Sequence, residues 1–182
     1  MPEADDEFAA LWDAHYDDVL GYAARRVDHE TARDLAAETF LIAWRRRADI
    51  PMDRPFPWLL HVAMNVLANA ARGHRRRDRL WWRMRDDRGL NEPVADVATG
   101  VVEDGRIGTA LRRLSPRDRE VLQLIGWEEL DVNDAAVVVG CSAKTFSVRL
   151  HRARRRLSDV LAELDAEGQS RPIPNLQRSS QS

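Results

Sequence analysis

Apolar side chains at Phe8, Leu11, Trp12, Val19, Tyr22, Ala23 and Val27, with His15 or Tyr16 completing the run, recur at intervals of three and four. That is the period of an amphipathic helix, and it predicts a first helix from about Asp6 to Val27. A second stripe of Ala32, Leu35, Ala36, Phe40, Ala43 and Trp44 follows almost at once, with Asp28 or Thr31 as its candidate N-cap. Arg45, Arg46 and Arg47 close it, at the negative end of the helix dipole. Three prolines between Pro51 and Pro57 forbid regular helix and predict a stiff loop over residues 49–57. Helix resumes at Pro57 or Trp58, and Leu59, Val62, Ala63, Val66, Leu67 and Ala70 hold the period to about Arg72, with the Arg-rich stretch beyond Gly73 able to extend it.

From about Asp86 to Asp104 the stripe fails, and Gly89, Pro93 and Gly100 punctuate a polar, acidic stretch that reads as a linker. Ile107, Leu111 and Leu114 then mark a short helix, and Ser115-Pro116-Arg117-Asp118 is a start signal: a cap, a proline at the first helical position, and a carboxylate beside free amides. Val121, Leu122 and Ile125 carry that helix inward. Asp131 to Asp134 repeat the capping pattern for a short helix stopped by Gly140, after which Ser142 caps a long final helix. A Ser/Gln/Pro-rich tail from about Gly168 predicts disorder. The expectation is an all-α fold of two small helical domains, residues 1–77 and 105–166, joined by a flexible linker over 78–104 and followed by a tail over 167–182.

Composition narrows the class. The chain has 182 residues, 44% of them hydrophobic and 32% charged, with a mean hydropathy of -0.49, which fits a soluble protein. No apolar run approaches the roughly 18–20 residues a spanning helix needs, and the acidic N-terminus is unlike a signal peptide, so no membrane insertion and a cytoplasmic location are expected. Cys141 is the single cysteine, which excludes an internal disulfide and a cysteine-based zinc site; a buried thiol is its default reading. The five histidines are dispersed, and no Gly-rich phosphate loop, His-Glu-x-x-His pattern or nucleophile elbow occurs. No enzyme, metal or cofactor is therefore expected.

The net charge of -2 conceals a segregation. Residues 1–71 carry seven arginines against thirteen carboxylates, residues 72–88 eight against three, and residues 135–157 six basic groups and no acid. Two separated basic blocks suit two contacts on one polyanion, with acidic surface left for a protein partner.

The second basic block falls in a helix-turn-helix pattern: a short helix, a tight turn at Gly140-Cys141-Ser142, then a basic helix. At 100° per residue Phe146, Leu150, Ala153 and Leu157 lie within about 60° of one another and form a core stripe. Lys144, Val148, His151, Arg152 and Arg155 point roughly opposite, with Ser147 at the side. Arg149 flanks the core stripe, better placed for a phosphate than for a base. The outward face thus offers donors and a methyl-bearing side chain, both suited to base edges in the major groove.

Leu114 to Leu122 (LSPRDREVL) and Thr145 to Leu157 (TFSVRLHRARRRL) resemble region 4 of bacterial RNA polymerase sigma factors, while Asp34 to Trp44 (DLAAETFLIAW) and Trp58 to Asn65 (WLLHVAMN) resemble region 2. Two such regions with a short connection are similar to the extracytoplasmic-function (ECF) sigma factors, over about residues 8–77 and 105–165.

The resemblance implies a non-enzymatic initiation factor that binds core RNA polymerase, recognises the minus-thirty-five and minus-ten promoter elements, assists melting, and is expected to have an anti-sigma factor. It implies that Asp34, Glu38, Leu41 and Arg45 dock on the clamp helices of the polymerase's largest subunit. Asn65 and Asn69, with the loop from Asp49 to Pro55, would take an unstacked base of the minus-ten element. Arg72, Arg75, Arg76, Arg77 and Arg79 would hold phosphates of the melted single strand. Lys144, Ser147, Val148, Arg149, His151, Arg152 and Arg155 would read the duplex minus-thirty-five element, with Val148 suited to a thymine methyl. Ala37 and Ile42 depart from the family's usual glutamine and basic residue. They keep open a sigma-like mimic that sequesters an anti-sigma factor, and a helix-turn-helix regulator acting without polymerase is the other alternative. Trp81-Trp82 leave base stacking, an anti-sigma contact and simple packing open.

Overall fold

The computed structural model describes the backbone of residues 2–85 and 105–169 and the side chains of residues 5–72 and 105–167. The elements are α1 (Pro2–Ala24), α2 (His29–Arg45), a single 3-10 turn (Arg47–Asp49), α3 (Pro55–Arg85), α4 (Arg106–Arg113), α5 (Pro116–Gly126), α6 (Val132–Val139) and α7 (Ala143–Gln169). No strand occurs among the described residues. The fold class is all-α, as the periodicity implies. Residues 86–104 of the expected linker and 170–182 of the expected tail lie outside the described residues, as do the side chains of Trp81 and Trp82.

Boundaries shift for identifiable reasons. α1 ends at Ala24 rather than Val27 because the Arg26 and Val27 amides both bond to the Ala23 carbonyl, at 2.8 and 3.0 Å, tightening the last turn. α3 begins at Pro55, ahead of the expected Pro57, since a first-turn proline gives up an amide that has no acceptor inside the helix anyway. At their far ends α3 reaches Arg85 and α7 reaches Gln169. Ile107, one of the apolar positions that mark α4, is 60% exposed, and the helix buries Gly108, Ala110 and Leu111. Cys141 is half-buried rather than buried.

α1, α2 and α3 enclose Val19, Tyr22, Leu35, Phe40, Leu59 and Leu60. Phe8, Trp12 and Tyr16 pack around Phe40 with ring centroids 6.4, 4.6 and 5.9 Å away. The second half gathers Leu124, Val138, Phe146, Leu150 and Ala153 between α5, α6 and α7, with α4 laid on α7. α3 is shared: one side packs on α1 and α2, the other on α6, so the two halves form one continuous core.

Phe146 is fully buried at the centre of the second half. Phe146→Ala should lower the unfolding free energy by about 3–5 kcal/mol, the range for removing a buried aromatic ring, read as a reduced urea midpoint with an unchanged slope.

Candidate nucleic-acid interface and the cleft between the halves

α7 is positioned by short-range chemistry. Asp131 caps α6, its carboxylate accepting from the Asn133 and Asp134 amides at 2.8 Å each, and those bonds hold its pKa below the usual carboxylate range. Gly140 ends α6 in the left-handed region at φ 69°. Ser142 then accepts from the Thr145 amide at 3.2 Å, opening α7. With Phe146, Leu150 and Ala153 buried, Lys144, Ser147, Val148, Arg149, His151, Arg152 and Arg155 are all exposed. Val148 keeps 46% of its surface in solvent. The Ser147 hydroxyl donates to the Ala143 carbonyl at 2.9 Å, so toward a base it retains acceptor capacity. Arg149 and Arg152 turn to the flank of α7 that faces α3, where both line a cleft.

On α2, Asp34, Glu38, Leu41 and Arg45 are exposed and fall within about 60° of one another at 100° per residue. Leu41 is 48% exposed, an apolar centre between charged ends. Leu35, Ala36, Thr39, Phe40 and Ala43 anchor the opposite side.

On α3, Asn65, Asn69 and Arg72 are exposed, and Arg72 donates to the Asn69 side-chain oxygen. The side chains of Arg75, Arg76, Arg77 and Arg79 lie outside the described residues. Asn65 is already engaged: its amide donates to His61 Nε2 at 3.0 Å, while His61 Nδ1 donates to the Val138 carbonyl of α6 at 2.9 Å. Just before α3, Arg54 bonds Asp134 at 2.6 Å and Asp131 at 3.3 Å. Asp134, then Asp131, raise the Arg54 pKa above its ordinary value.

A third set of contacts was not read from the sequence. Arg26 donates to Glu120 at 2.9 and 3.1 Å, to Glu128 at 3.1 Å and to the Tyr22 carbonyl at 2.8 Å. Its guanidinium lies 3.6 Å from the Tyr22 ring centroid, and the Tyr22 hydroxyl donates to Glu120 at 2.9 Å. Arg25 adds a bond to Glu128 at 3.3 Å. The Arg26 and Glu128 side chains are only 6% and 2% exposed. Burial opposes the Arg26 charge; the charge and hydrogen bond of Glu120 and the charge of Glu128 outweigh it and hold its pKa above the ordinary value. Burial, then Glu120, raises the Tyr22 pKa, so the hydroxyl stays a donor. Periodicity placed Tyr22 in the core and left Arg25 and Arg26 at a helix end; no sequence signal paired them with carboxylates about a hundred residues away.

Between α3, α5 and α7 lies a cleft of about 850 Å³. Met64, Asn65 and Leu67 line one wall and Arg149, Arg152 and Arg117 another. No group of three or more histidine, cysteine or acidic residues is placed to hold a metal among the described residues. No helix among them is long and apolar enough to cross a membrane.

Family models match both halves: Sigma-70 region 2 over residues 11–77 and Sigma-70 region 4 over residues 104–157. The RNA polymerase sigma factor CarQ of Myxococcus xanthus is 30% identical over 166 residues, 90% of this chain and 94% of its own. The ECF RNA polymerase sigma factor SigL of Mycobacterium tuberculosis is 31% identical, over 85% of this chain and 89% of its own. The chain belongs to the ECF family of RNA polymerase sigma factors.

Solved structures similar to this sigma factor share its fold. RpoE, in complex with the anti-sigma factor NepR from Bartonella quintana, matches with a TM-score of 0.62 and 25% identity over 85% of this chain and 96% of that one. CnrH, in complex with the cytosolic domain of CnrY, matches with a TM-score of 0.56 and 27% identity over 88% of each chain.

The first turn of α7 depends on its Ser142 cap. Ser142→Ala should cost about 1 kcal/mol and speed hydrogen exchange at the first-turn amides of α7, leaving α2 amides unchanged.

Proposed function

We propose that this chain is an initiation factor that directs core RNA polymerase to promoters carrying two elements. Residues 1–77 serve the polymerase and the minus-ten element, residues 105–166 the minus-thirty-five element, and residues 78–104 connect them. The observation that carries the reading is the coexistence, in region 2 to region 4 order, of the α2 face, the Asn65 side of α3, and a capped basic α7 with its reader face in solvent.

In this reading Asp34, Glu38, Leu41 and Arg45 dock on the clamp helices of the polymerase: an apolar contact supplies area and the charges at its ends set the register. Lys144, Arg149 and Arg155 fix α7 on phosphates, while Ser147, Val148, His151 and Arg152 face base edges. After melting, Asn65 and Asn69 take an extruded base, with Arg72, Arg75 and Arg76 on the strand backbone. The chain contributes recognition and no reacting group, so the catalysis is the polymerase's, and the compartment is the cytoplasm. An anti-sigma factor is the expected protein partner. The cleft supports this: Met64 and Leu67 provide an apolar wall, Arg149 and Arg152 a basic one, which suits an amphipathic helix with an acidic side.

The test is transcription from a genomic promoter library by sigma-free core polymerase plus the purified chain. Discrete start sites sharing two upstream elements are expected, and Asn65→Ala should reduce open-complex formation by about tenfold while leaving duplex binding intact. Lys144→Ala should weaken duplex binding across sequences and lower the salt slope by about 1. Absence of specific starts from folded protein would remove the reading.

A further inference from the structure

We infer that Ser147 and Val148 give this chain its own base preference in the upstream element: one position that takes adenine or cytosine through the exocyclic amino group, and a thymine, held by its methyl, within about two base pairs of it. The inference deepens the proposed function and rests on it, because α7 must enter the major groove of the minus-thirty-five duplex.

The two residues are the uncharged pair on the outward face of α7. Lys144, Arg149 and Arg155 are exposed cations suited to phosphates of any sequence, so discrimination falls on the other side chains. Phe146 and Leu150, 0% and 5% exposed, anchor α7 from behind. At 100° per residue Val148 lies opposite that stripe and Ser147 on its flank. About 5 Å from the helix axis, side chains 100° apart are separated by about 7–8 Å, about two base-pair steps.

The Ser147 hydroxyl has one proton and donates it to the Ala143 carbonyl at 2.9 Å. Its lone pairs remain, so it meets a base as an acceptor. Ser142 and Thr145, the hydroxyls closer to the start of α7, are engaged with each other at 2.9 Å. In the major groove adenine N6 and cytosine N4 donate, whereas guanine N7 and O6 and thymine O4 only accept. An amino group adds a bond to Ser147 and leaves the existing one in place. Guanine or thymine would need the proton, and the Ala143 bond would be lost in exchange. One net hydrogen bond corresponds to about fivefold in affinity, which sets the size of the preference.

Val148 is 46% exposed and has no polar atom to offer a base. Branching at Cβ restricts its rotamers in a helix, so its methyl groups are presented with little freedom left to lose. Thymine alone puts a methyl in the major groove, and covering that methyl is worth about fourfold. Any other base there would lose water from a polar edge without gaining a partner. Neither side chain carries charge, so both act on sequence preference and leave the salt dependence to the cations.

The experiment uses holoenzyme assembled from sigma-free core polymerase and the full chain, on duplex promoters randomised in the upstream element. Sequencing of the bound fraction should show one position that accepts adenine and cytosine about equally and disfavours guanine and thymine about fivefold, with thymine enriched within about two base pairs. Replacing that thymine by uracil removes only the methyl; it should weaken wild-type binding about fourfold and leave Val148→Ala binding unchanged. Ser147→Ala should abolish the preference at the amino position and keep the uracil effect. Alanine favours helix more than serine or valine, so α7 persists in both variants, and the salt slope should stay at its wild-type value. A uracil effect that is absent from the wild type, or that survives Val148→Ala, overturns the methyl contact. Amino selectivity that survives Ser147→Ala overturns the hydroxyl contact. A shallower salt slope in either variant would mean lost phosphate contacts and a structural role, and it overturns the assignment. An element enriched without this pair of positions overturns the inference alone, whereas a wild-type holoenzyme that enriches no element removes the initiation reading itself.

Discussion

A single guanidinium sets the arrangement on which the rest of this molecule depends. Arg26, at the end of the first helical segment, lies between Glu120 and Glu128 of the second half with almost no solvent around it. Taking those charges out of water carries a large penalty, recovered only because the guanidinium, the Tyr22 hydroxyl and the carboxylates satisfy one another's hydrogen-bonding groups. Such a cluster contributes little net stability and a great deal of orientation. It fixes α5 beside α1, and with α5 in place α6 comes down on α3, where His61 and Arg54 find the Val138 carbonyl and the α6 carboxylates.

Around that seam the molecule separates structural from recognition surfaces on each helix. α2 and α7 bury a narrow apolar stripe and leave the opposite side to solvent, so Asp34, Glu38, Leu41 and Arg45 on one, and Lys144, Val148, His151 and Arg155 on the other, take no part in packing. Single changes on those faces leave the core untouched. α3 is different because both its sides are in use. Its inner side completes the region 2 core and its outer side carries α6.

The local layer was legible in the sequence because it is governed by interactions within a few residues. Asp28, Ser115, Asp131 and Ser142 cap the helices that their positions announce, and Gly140 adopts the left-handed stop that the helix-turn-helix pattern requires. Phe146, Leu150 and Ala153 are buried as their 3.6-residue spacing demands. The departures are equally local: Pro55 and Pro57 fall inside α3 because a helix tolerates proline in its first turn.

The sequence by itself determined the all-α class, the helix caps, the exposed faces and the family, since period, caps and motif order are properties of neighbouring residues. Tertiary structure alone decided that Tyr22, Arg25 and Arg26 meet Glu120 and Glu128, that Arg54 meets Asp131 and Asp134, and that His61 meets the Val138 carbonyl of α6. The reason is physical: an arginine at a helix end looks the same in sequence whether it is solvated or buried. Only the packing of two halves about a hundred residues apart creates the dry seam that gives its charge a partner.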